Sequence, residues 1–249
     1  MLLENKTAII YGAGGAIGSA LATGFAAEGA SCHLVGRTAA TLDATAEKIR
    51  ADGGRAETAV VDALDAAAVN DHADAVVRES GGIDISVNVI TQDAVFGSLV
   101  DISVPDFANS MAELMTSQLI TTKAAARHMI ARESGVILFF GGSDHANKVP
   151  GLGNVQISFD AVEGLRRQWA CELGPHGIRV VTLLTGGIPE TFPDIPETEP
   201  ARQGIIDGTL LGRAATLSDV GDVAAFVASD RARSITGTQI NISCGACGD

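Results

Sequence analysis

Short apolar runs alternate with longer stretches of helical periodicity along the whole chain. Residues 7–11 form an apolar run that is typical of a buried strand. Ile17, Leu21 and Phe25 then recur every four residues, which places them on one face of a helix. Because this pairing of strand and helix repeats, the sequence predicts a single Rossmann-type doubly wound parallel sheet, an α/β fold of about seven strands with helices on both faces.

The predicted elements follow one another without a linker or a repeat. Strands are predicted at 7–11, 31–35, 59–61, 83–89, 136–140, 178–184 and 238–242, and helices from 17, from 41, and over 66–79, 106–131, 155–173 and 218–229. Residues 185–209 hold four of the seven prolines and are predicted as a long loop, which is a candidate substrate lid. We expect one domain over residues 1–249.

Charge and composition limit the partners. The formal net charge of −13 disfavours nucleic acid and anionic membranes, since both require a basic surface. No apolar run approaches the ~20 residues that span a bilayer, and residues 1–7 lack the features of a secretion signal. We therefore expect a cytoplasmic protein that binds small molecules or other proteins.

The cysteines and histidines give no clear site. Cys32, Cys171, Cys244 and Cys247 are too few and too scattered for a disulfide framework. The last two have the spacing of a redox motif or half a zinc site, but free thiols in a tail loop are the favoured interpretation. The histidines show no ligand spacing, and no metal is predicted.

A glycine-rich turn follows the first predicted strand. Such a turn lets the backbone approach a pyrophosphate, and the helix N-terminus behind it supplies N–H donors and a partial positive charge. The alternative is that the glycines serve only close packing of strand and helix. The residues predicted to hold the phosphates are Gly12, Gly14, Gly15, Ala16, Ile17 and Gly18.

The end of the second predicted strand indicates which dinucleotide is bound. An NAD protein usually has a carboxylate there for the ribose hydroxyls, whereas an arginine attracts a 2′-phosphate. Arg37 and Thr38 occupy this place, and no acid follows until Asp43. The sequence therefore favours NADP(H) over NAD(H), the alternative being that Arg37 is only a solvated surface residue.

The turn Gly12-x3-Ala16-x-Gly18 resembles the TGxxxGxG motif of the short-chain dehydrogenase/reductase family, with Tyr11 for the usual Thr and Ala16 for the middle Gly. Asp62 matches the family's adenine-contacting Asp, and Asn88 is similar to the first Asn of its NNAG motif. Residues 124–129, 172–180 and 234–237 also resemble family scaffold, so the resemblance covers nearly the whole chain.

The resemblance implies an NAD(P)-dependent oxidoreductase. It adds Gly186 and Ile188 as cofactor contacts. It also implies a homo-oligomer, a dimer or a tetramer, because the family's long helices corresponding to 106–131 and 155–173 commonly form subunit interfaces.

The family's catalytic residues have no counterparts in this chain. The family uses a Tyr as proton donor, a Lys four residues later, a Ser and an Asn. An ungapped alignment places Val155, Phe159, Gly142 and Leu114, respectively, at these positions. The only tyrosine, Tyr11, lies beside the phosphate turn. The sequence therefore predicts that the standard proton transfer is absent.

Polar residues after the fifth predicted strand are candidate replacements. Asp144 and His145, with Ser143 before them, follow the carboxyl end of that strand, where open α/β sheets bind ligands. The alternative is a solvated loop, since side chains one residue apart seldom converge. Further residues that could hydrogen-bond a substrate are Lys148, Asn154 and Gln156.

Three functions fit these observations. The first is an NADP(H)-dependent oxidoreductase acting on a small organic substrate with a non-standard or absent proton donor. The second is a non-catalytic nucleotide-binding module, or a companion subunit in a hetero-oligomer with an active relative. The third is a redox-neutral lyase, cyclase or isomerase that reuses the pocket.

Overall fold

The computed structural model describes residues 1–90, 94–142 and 150–247. Its strands are β1 (Thr7–Tyr11), β2 (Ser31–Gly36), β3 (Arg55–Val60), β4 (Ile85–Asn88), β5 (Gly135–Gly141), β6 (Ile178–Leu184) and β7 (Thr238–Asn241). Its helices are α1 (Ala16–Ala27), α2 (Ala39–Ala51), α3 (Ala66–Ser80), α4 (Val104–Arg132), α5 (Val155–Leu173), α6 (Glu199–Asp207) and α7 (Leu217–Ala228). Strands and helices alternate as the hydrophobic pattern predicts.

All seven strands join one parallel sheet in the order β3-β2-β1-β4-β5-β6-β7. The chain first adds strands on one side of β1 and then returns to add β4 on the other side. Ligands of open α/β sheets bind at such a switch point, outside the carboxyl ends of the strands. The predicted fold class is therefore confirmed. It indicates a ligand site at the carboxyl end of β1.

The core has two layers because both faces of the sheet are covered. Alternate residues of a strand point to opposite faces, so a strand buried on both sides must be apolar throughout. In β1, Ala8 and Ile10 pack in the cluster that includes α1, α2 and α7. Ile9 and Tyr11 pack in the cluster that includes α3, α4 and α5. This double burial fixes the position of the β1 carboxyl end.

The helices differ in how their N-termini are capped. The side chain of Asp65 accepts two backbone N–H bonds at the start of α3. Thr216 and Asp219 form a reciprocal capping box at the start of α7. The N-cap of α1 is Gly15, which has no side chain to satisfy the first N–H groups. The first turn of α1 is therefore left available to an external acceptor.

Helix α4, with 29 residues, crosses one face of the sheet. Ser103 caps it by accepting from the N–H of Asp106. Its apolar side, which includes Leu114, Ala125 and Met129, is buried against the sheet and the neighbouring helices. Among the helices in the described ranges, none is long and apolar enough to cross a membrane.

Two elements differ from the sequence prediction by more than two residues. Strand β3 begins at Arg55, four residues before the predicted start, because it is an edge strand whose Arg55 and Glu57 are exposed and interrupt the apolar run. The predicted loop 185–209 contains helix α6 over Glu199–Asp207, so the expectation of a continuous loop is wrong. No residue of α6 is buried, and it therefore lacks the apolar periodicity that would have revealed it. The role of this segment as a lid stays a prediction.

Candidate cofactor site and reaction chamber

The turn between β1 and α1 is held by backbone hydrogen bonds. The N–H groups of Gly12 and Ala13 both donate to the carbonyl oxygen of Val35, at 2.8 and 3.2 Å. The N–H of Gly15 donates to the carbonyl oxygen of Gly12 at 3.1 Å, and the hydroxyl of Thr45 donates to that of Ala13 at 3.3 Å. The turn is thus a fixed part of the frame before any ligand binds.

Backbone conformation explains one of its glycines and close packing explains two. Gly12 has a φ of +85°, a conformation that L side chains rarely adopt. A Cβ on Gly14 would lie 2.3 Å from Oγ1 of Thr41, and a Cβ on Gly18 would lie 2.2 Å from the carbonyl oxygen of Gly12. The packing role that the sequence left as an alternative therefore applies at these positions.

The start of α1 is where the turn can meet a ligand. Gly15 and Ala16 are exposed and Ile17 is half-buried. A Cβ on Gly15 would meet nothing nearer than 3.5 Å, so this position opens toward solvent. The first N–H groups of a helix have no partner within it, and they attract anions together with the helix dipole. The residues present therefore fit the diphosphate of a dinucleotide.

Arg37 and Thr38 lie beside this turn. Strand β2 ends at Gly36, and Tyr11 of β1 is paired with Val35 of β2, so the residues after β2 flank the glycine turn. Both Arg37 and Thr38 are exposed. Within the part of the chain that the structure describes, no carboxylate forms an ion pair with Arg37. Arg37 is therefore available to an anionic group of a ligand bound at this turn.

Asp62 follows edge strand β3 and Asn88 ends β4, and their surroundings differ. Asp62 is exposed after β3, and its Oδ1 accepts from the N–H of Leu64 at 3.0 Å. Asn88 is buried at the end of β4, where Nδ2 donates to Oγ1 of Thr121 at 3.0 Å and Oδ1 accepts from the N–H of Ile90 at 2.8 Å. The Asn88 side chain is occupied by these bonds and fixes the edge of the sheet, while its predicted contact with cofactor stays a prediction.

Gly186 and Ile188 follow β6 at the same edge. A Cβ on Gly186 would lie 3.2 Å from the Cβ of Ala246. The side chain of Ile188 is buried in the core, and its carbonyl oxygen accepts from the N–H of Thr191. Their predicted role as cofactor contacts is not tested by this packing.

The fold brings together the positions at which the resemblance expects proton transfer. Leu114 of α4 and Val155 and Phe159 of α5 line one cavity of about 220 Å³. Val155 and Phe159 share a helix face because they are four residues apart. The ring of Phe159 also packs against Gly141, next to Gly142, since a Cβ on Gly141 would lie 2.3 Å from a ring carbon. None of these side chains can donate or accept a proton.

The remaining lining residues are two apolar and two polar side chains. Ala94 and Phe96 close one side of the cavity, and Ser110 and Ser158 contribute its hydroxyl groups. Ser110 was missed by sequence reasoning. The signal was present, because Ser110 precedes Leu114 by four residues and therefore shares its face of α4.

Asn154 and Gln156, proposed as substrate contacts, are engaged within the protein. Oδ1 of Asn154 accepts from the N–H of Val95 at 2.9 Å, and its Nδ2 donates to Oγ of Ser110 at 2.9 Å. Gln156 donates to the carboxylate of Asp160 on the surface of α5. Asn154 therefore acts on the cavity through Ser110, and its predicted hydrogen bond to a substrate stays a prediction.

The candidate replacements Ser143, Asp144 and His145, together with Lys148, lie outside the described residues. Tyr11 is described, and it is a core residue with 1% of its surface exposed. Its hydroxyl has no hydrogen-bond partner among the described residues, and burial raises the pKa of Tyr11 above its ordinary value. Tyr11 therefore does not offer an accessible proton donor to a ligand.

The sheet order, the switch point and the glycine turn define a protein of the Rossmann-type α/β class. A family model described as enoyl-(acyl carrier protein) reductase matches residues 12–247. The 3-oxoacyl-[acyl-carrier-protein] reductase FabG of Thermotoga maritima is 30% identical over 247 residues, which cover 98% of this chain and 99% of that protein. The gluconate 5-dehydrogenase of Gluconobacter oxydans is 33% identical over 186 residues, 74% of this chain and 72% of the relative.

Solved structures agree with these relatives. The crystal structure of NAD⁺-bound xylitol dehydrogenase superposes with a TM-score of 0.88 at 25% identity and covers 98% of this chain and 100% of that one. The chain belongs to the short-chain dehydrogenase/reductase family. Members of this family bind NAD(P)(H), and the resemblance drawn from the sequence is confirmed.

Proposed function

We propose that this protein is an NADP(H)-dependent oxidoreductase that acts on a small organic substrate without the proton donor of its family. The observation that carries the proposal is the pairing of an uncapped, exposed α1 start with the unpaired cation Arg37. Relatives that are named as dehydrogenases and reductases support the reaction class.

The residues that would bind the cofactor differ from those that would line the reaction chamber. The N–H groups of Ala16 and Ile17 would hold the diphosphate, with Gly15 leaving space beside them, and Arg37 would bind the 2′-phosphate. NADP(H), when bound, supplies or accepts a hydride. Val155 and Phe159 would exclude water from the cavity without exchanging protons. The proton that completes a reduction would then come from solvent, or from the candidates Ser143, Asp144 and His145.

The first test is the effect of Arg37 on nucleotide preference, measured by calorimetric titration. In Arg37→Ala we expect the Kd for NADPH to rise about 10-fold, because a charge-assisted contact to phosphate is lost, and the Kd for NADH to change less than about 2-fold. Arg78→Ala is the matched control, since Arg78 is also exposed but lies on α3. Equal losses for both nucleotides would remove the assignment of Arg37 to the 2′-phosphate.

The apolar cavity also supports the second candidate, a non-catalytic nucleotide-binding module or companion subunit. A protein without catalysis would not need side chains that exchange protons. Replacement of all four catalytic positions agrees with such a loss. NADPH binding without turnover of any carbonyl, imine or activated alkene, in a protein isolated with an active relative, would favour this candidate. Turnover that needs no nucleotide would instead favour a lyase, cyclase or isomerase.

We also propose that the chain forms a homo-oligomer through α4 and α5. Leu119 and Ile130 on α4 and Ile157 on α5 are between 37% and 42% exposed, although they are large and apolar. Burial of such side chains between subunits is favourable. Sedimentation equilibrium of the purified protein tests this, and a monomer at all concentrations would contradict it.

A further inference from the structure

The cavity between α4 and α5 has one hydroxyl group that is held in a defined orientation. The walls are formed by Ala94, Phe96, Leu114, Val155 and Phe159, and the hydroxyls come from Ser110 and Ser158. No charged side chain occurs among these lining residues. A charged group placed against these described walls would lose its hydration without compensation from them, so they favour a neutral ligand.

Asn154 fixes the direction of the Ser110 hydroxyl. The N–H of Val95 can only donate, so the Asn154 atom that meets it at 2.9 Å is the oxygen, Oδ1. The amide nitrogen of Asn154 then faces Ser110 and donates to its Oγ at 2.9 Å. Asn154 is fully buried, and its own N–H donates to the carbonyl oxygen of Val95 at 3.1 Å. Ser110 is thus an acceptor toward Asn154, and its own hydrogen points elsewhere.

Other hydroxyl groups on α4 and α5 donate their hydrogen to an acceptor within the protein. Ser117 donates to the carbonyl oxygen of Leu114 at 3.0 Å, and Thr121 donates to that of Ser117 at 2.8 Å. Ser158, the other hydroxyl of the cavity, donates to Sδ of Met111 at 3.1 Å. Within the described ranges, Ser110 alone among these four has no acceptor for its hydrogen. The cavity thereby presents one hydrogen-bond donor in apolar surroundings.

We propose that this cavity binds a neutral, largely apolar carbonyl compound, with Ser110 donating a hydrogen bond to the carbonyl oxygen and Asn154 positioning Ser110. The volume of about 220 Å³ exceeds the ~150 Å³ of an apolar protein cavity known to bind benzene, so a substituted ring fits. The proposal deepens the proposed function, on which it rests for the reaction, and it names the substrate class. The binding step itself requires no nucleotide.

The test compares two ligands of matched shape in the absence of nucleotide. Acetophenone carries a carbonyl oxygen, and α-methylstyrene replaces that oxygen with a CH₂ group. Dissociation constants are measured by ligand-observed NMR for wild type, Ser110→Ala and the surface control Ser218→Ala. We expect the ratio of the two constants to shift about 5-fold against acetophenone in Ser110→Ala, which is the effect of one neutral hydrogen bond. We expect the ratio to stay unchanged in Ser218→Ala.

A second variant shows where the ligands bind. Val155→Phe adds volume to the cavity wall, and we expect it to weaken both ligands more than about 10-fold. Leu114→Phe serves the same purpose if Val155→Phe fails to fold. Failure of either ligand to bind wild type, binding that both filling variants leave unchanged, or an unchanged ratio in Ser110→Ala would overturn the proposal.

A titration of the same samples with NADPH separates this proposal from the proposed function. Ligand binding that follows Ser110 in a protein without NADPH affinity would uphold the cavity assignment and refute the nucleotide-dependent reaction. NADPH affinity without ligand binding would do the opposite.

Discussion

The glycine turn and the cavity between α4 and α5 present different chemical groups to a ligand. The turn between β1 and α1 presents backbone N–H groups, and its geometry depends on hydrogen bonds such as that from Gly12 to Val35. The cavity between α4 and α5 presents side chains, and at Leu114, Val155 and Phe159 they are apolar. Both places lie at the carboxyl edge of the same sheet.

Dinucleotide binding and proton transfer can therefore depend on different groups within one fold. Backbone donors persist as long as the turn folds, whatever side chains follow it. Proton transfer depends on particular side chains and slows by about 10²- to 10⁴-fold when they are replaced. A chain with the same frame can therefore keep its affinity for a dinucleotide and exchange the reaction that the family performs.

The largest effect is expected when the glycine turn is deformed. In Gly18→Ala the new Cβ would lie 2.2 Å from the carbonyl oxygen of Gly12, so the turn must shift. We expect a loss of about 2 to 3 kcal/mol in the free energy of unfolding, measured in urea, together with loss of NADPH binding. Gly15→Ala is the matched control, because its Cβ has no contact nearer than 3.5 Å, and its loss should stay below about 1 kcal/mol. Equal losses in the two variants would contradict the packing role of Gly18.

Restoring a proton donor tests whether the cavity between α4 and α5 is the reaction chamber. In Val155→Tyr/Phe159→Lys we expect kcat/KM for acetone reduction by NADPH to rise about 10- to 100-fold, since a positioned acid contributes about 10²- to 10⁴-fold and two family positions stay replaced. Acetone is the substrate because a ring at position 155 fills part of the cavity and would exclude acetophenone. Val155→Phe/Phe159→Lys fills the same volume without a phenol and should show no such rise. If the two double variants were equally active, the cavity would not be the reaction chamber.

The smallest effect is expected at Tyr11, which adjoins the turn but belongs to the core. Its buried hydroxyl has no partner among the described residues, so Tyr11→Phe removes an unsatisfied polar group. We expect the free energy of unfolding to stay unchanged or to rise by up to about 1 kcal/mol, and the NADPH Kd to stay within about 2-fold. A clear loss of NADPH affinity would instead place the phenol in the cofactor site.

The sequence was sufficient wherever burial is two-sided or where a residue spacing is local. Strand β1 has the predicted bounds because every residue in it is buried. Edge strand β3 was found only in part and helix α6 not at all, because exposed elements carry little apolar pattern. The ungapped alignment named Leu114, Val155 and Phe159, which the fold brings into one cavity. The pairing of Asn154 with Val95 and Ser110 could not be predicted, since it depends on contacts between distant segments.

Binding of a dinucleotide at the glycine turn is tested most directly by a thermal unfolding titration of the wild-type protein. The titration is done with NADPH, with NADH and without nucleotide. A ligand present at 100 times its Kd adds about 2.7 kcal/mol to the free energy of unfolding. We predict that NADPH raises the Tm in a saturable manner and that NADH requires a higher concentration for the same rise. An unchanged Tm with both nucleotides would contradict the claim that the turn still binds a dinucleotide.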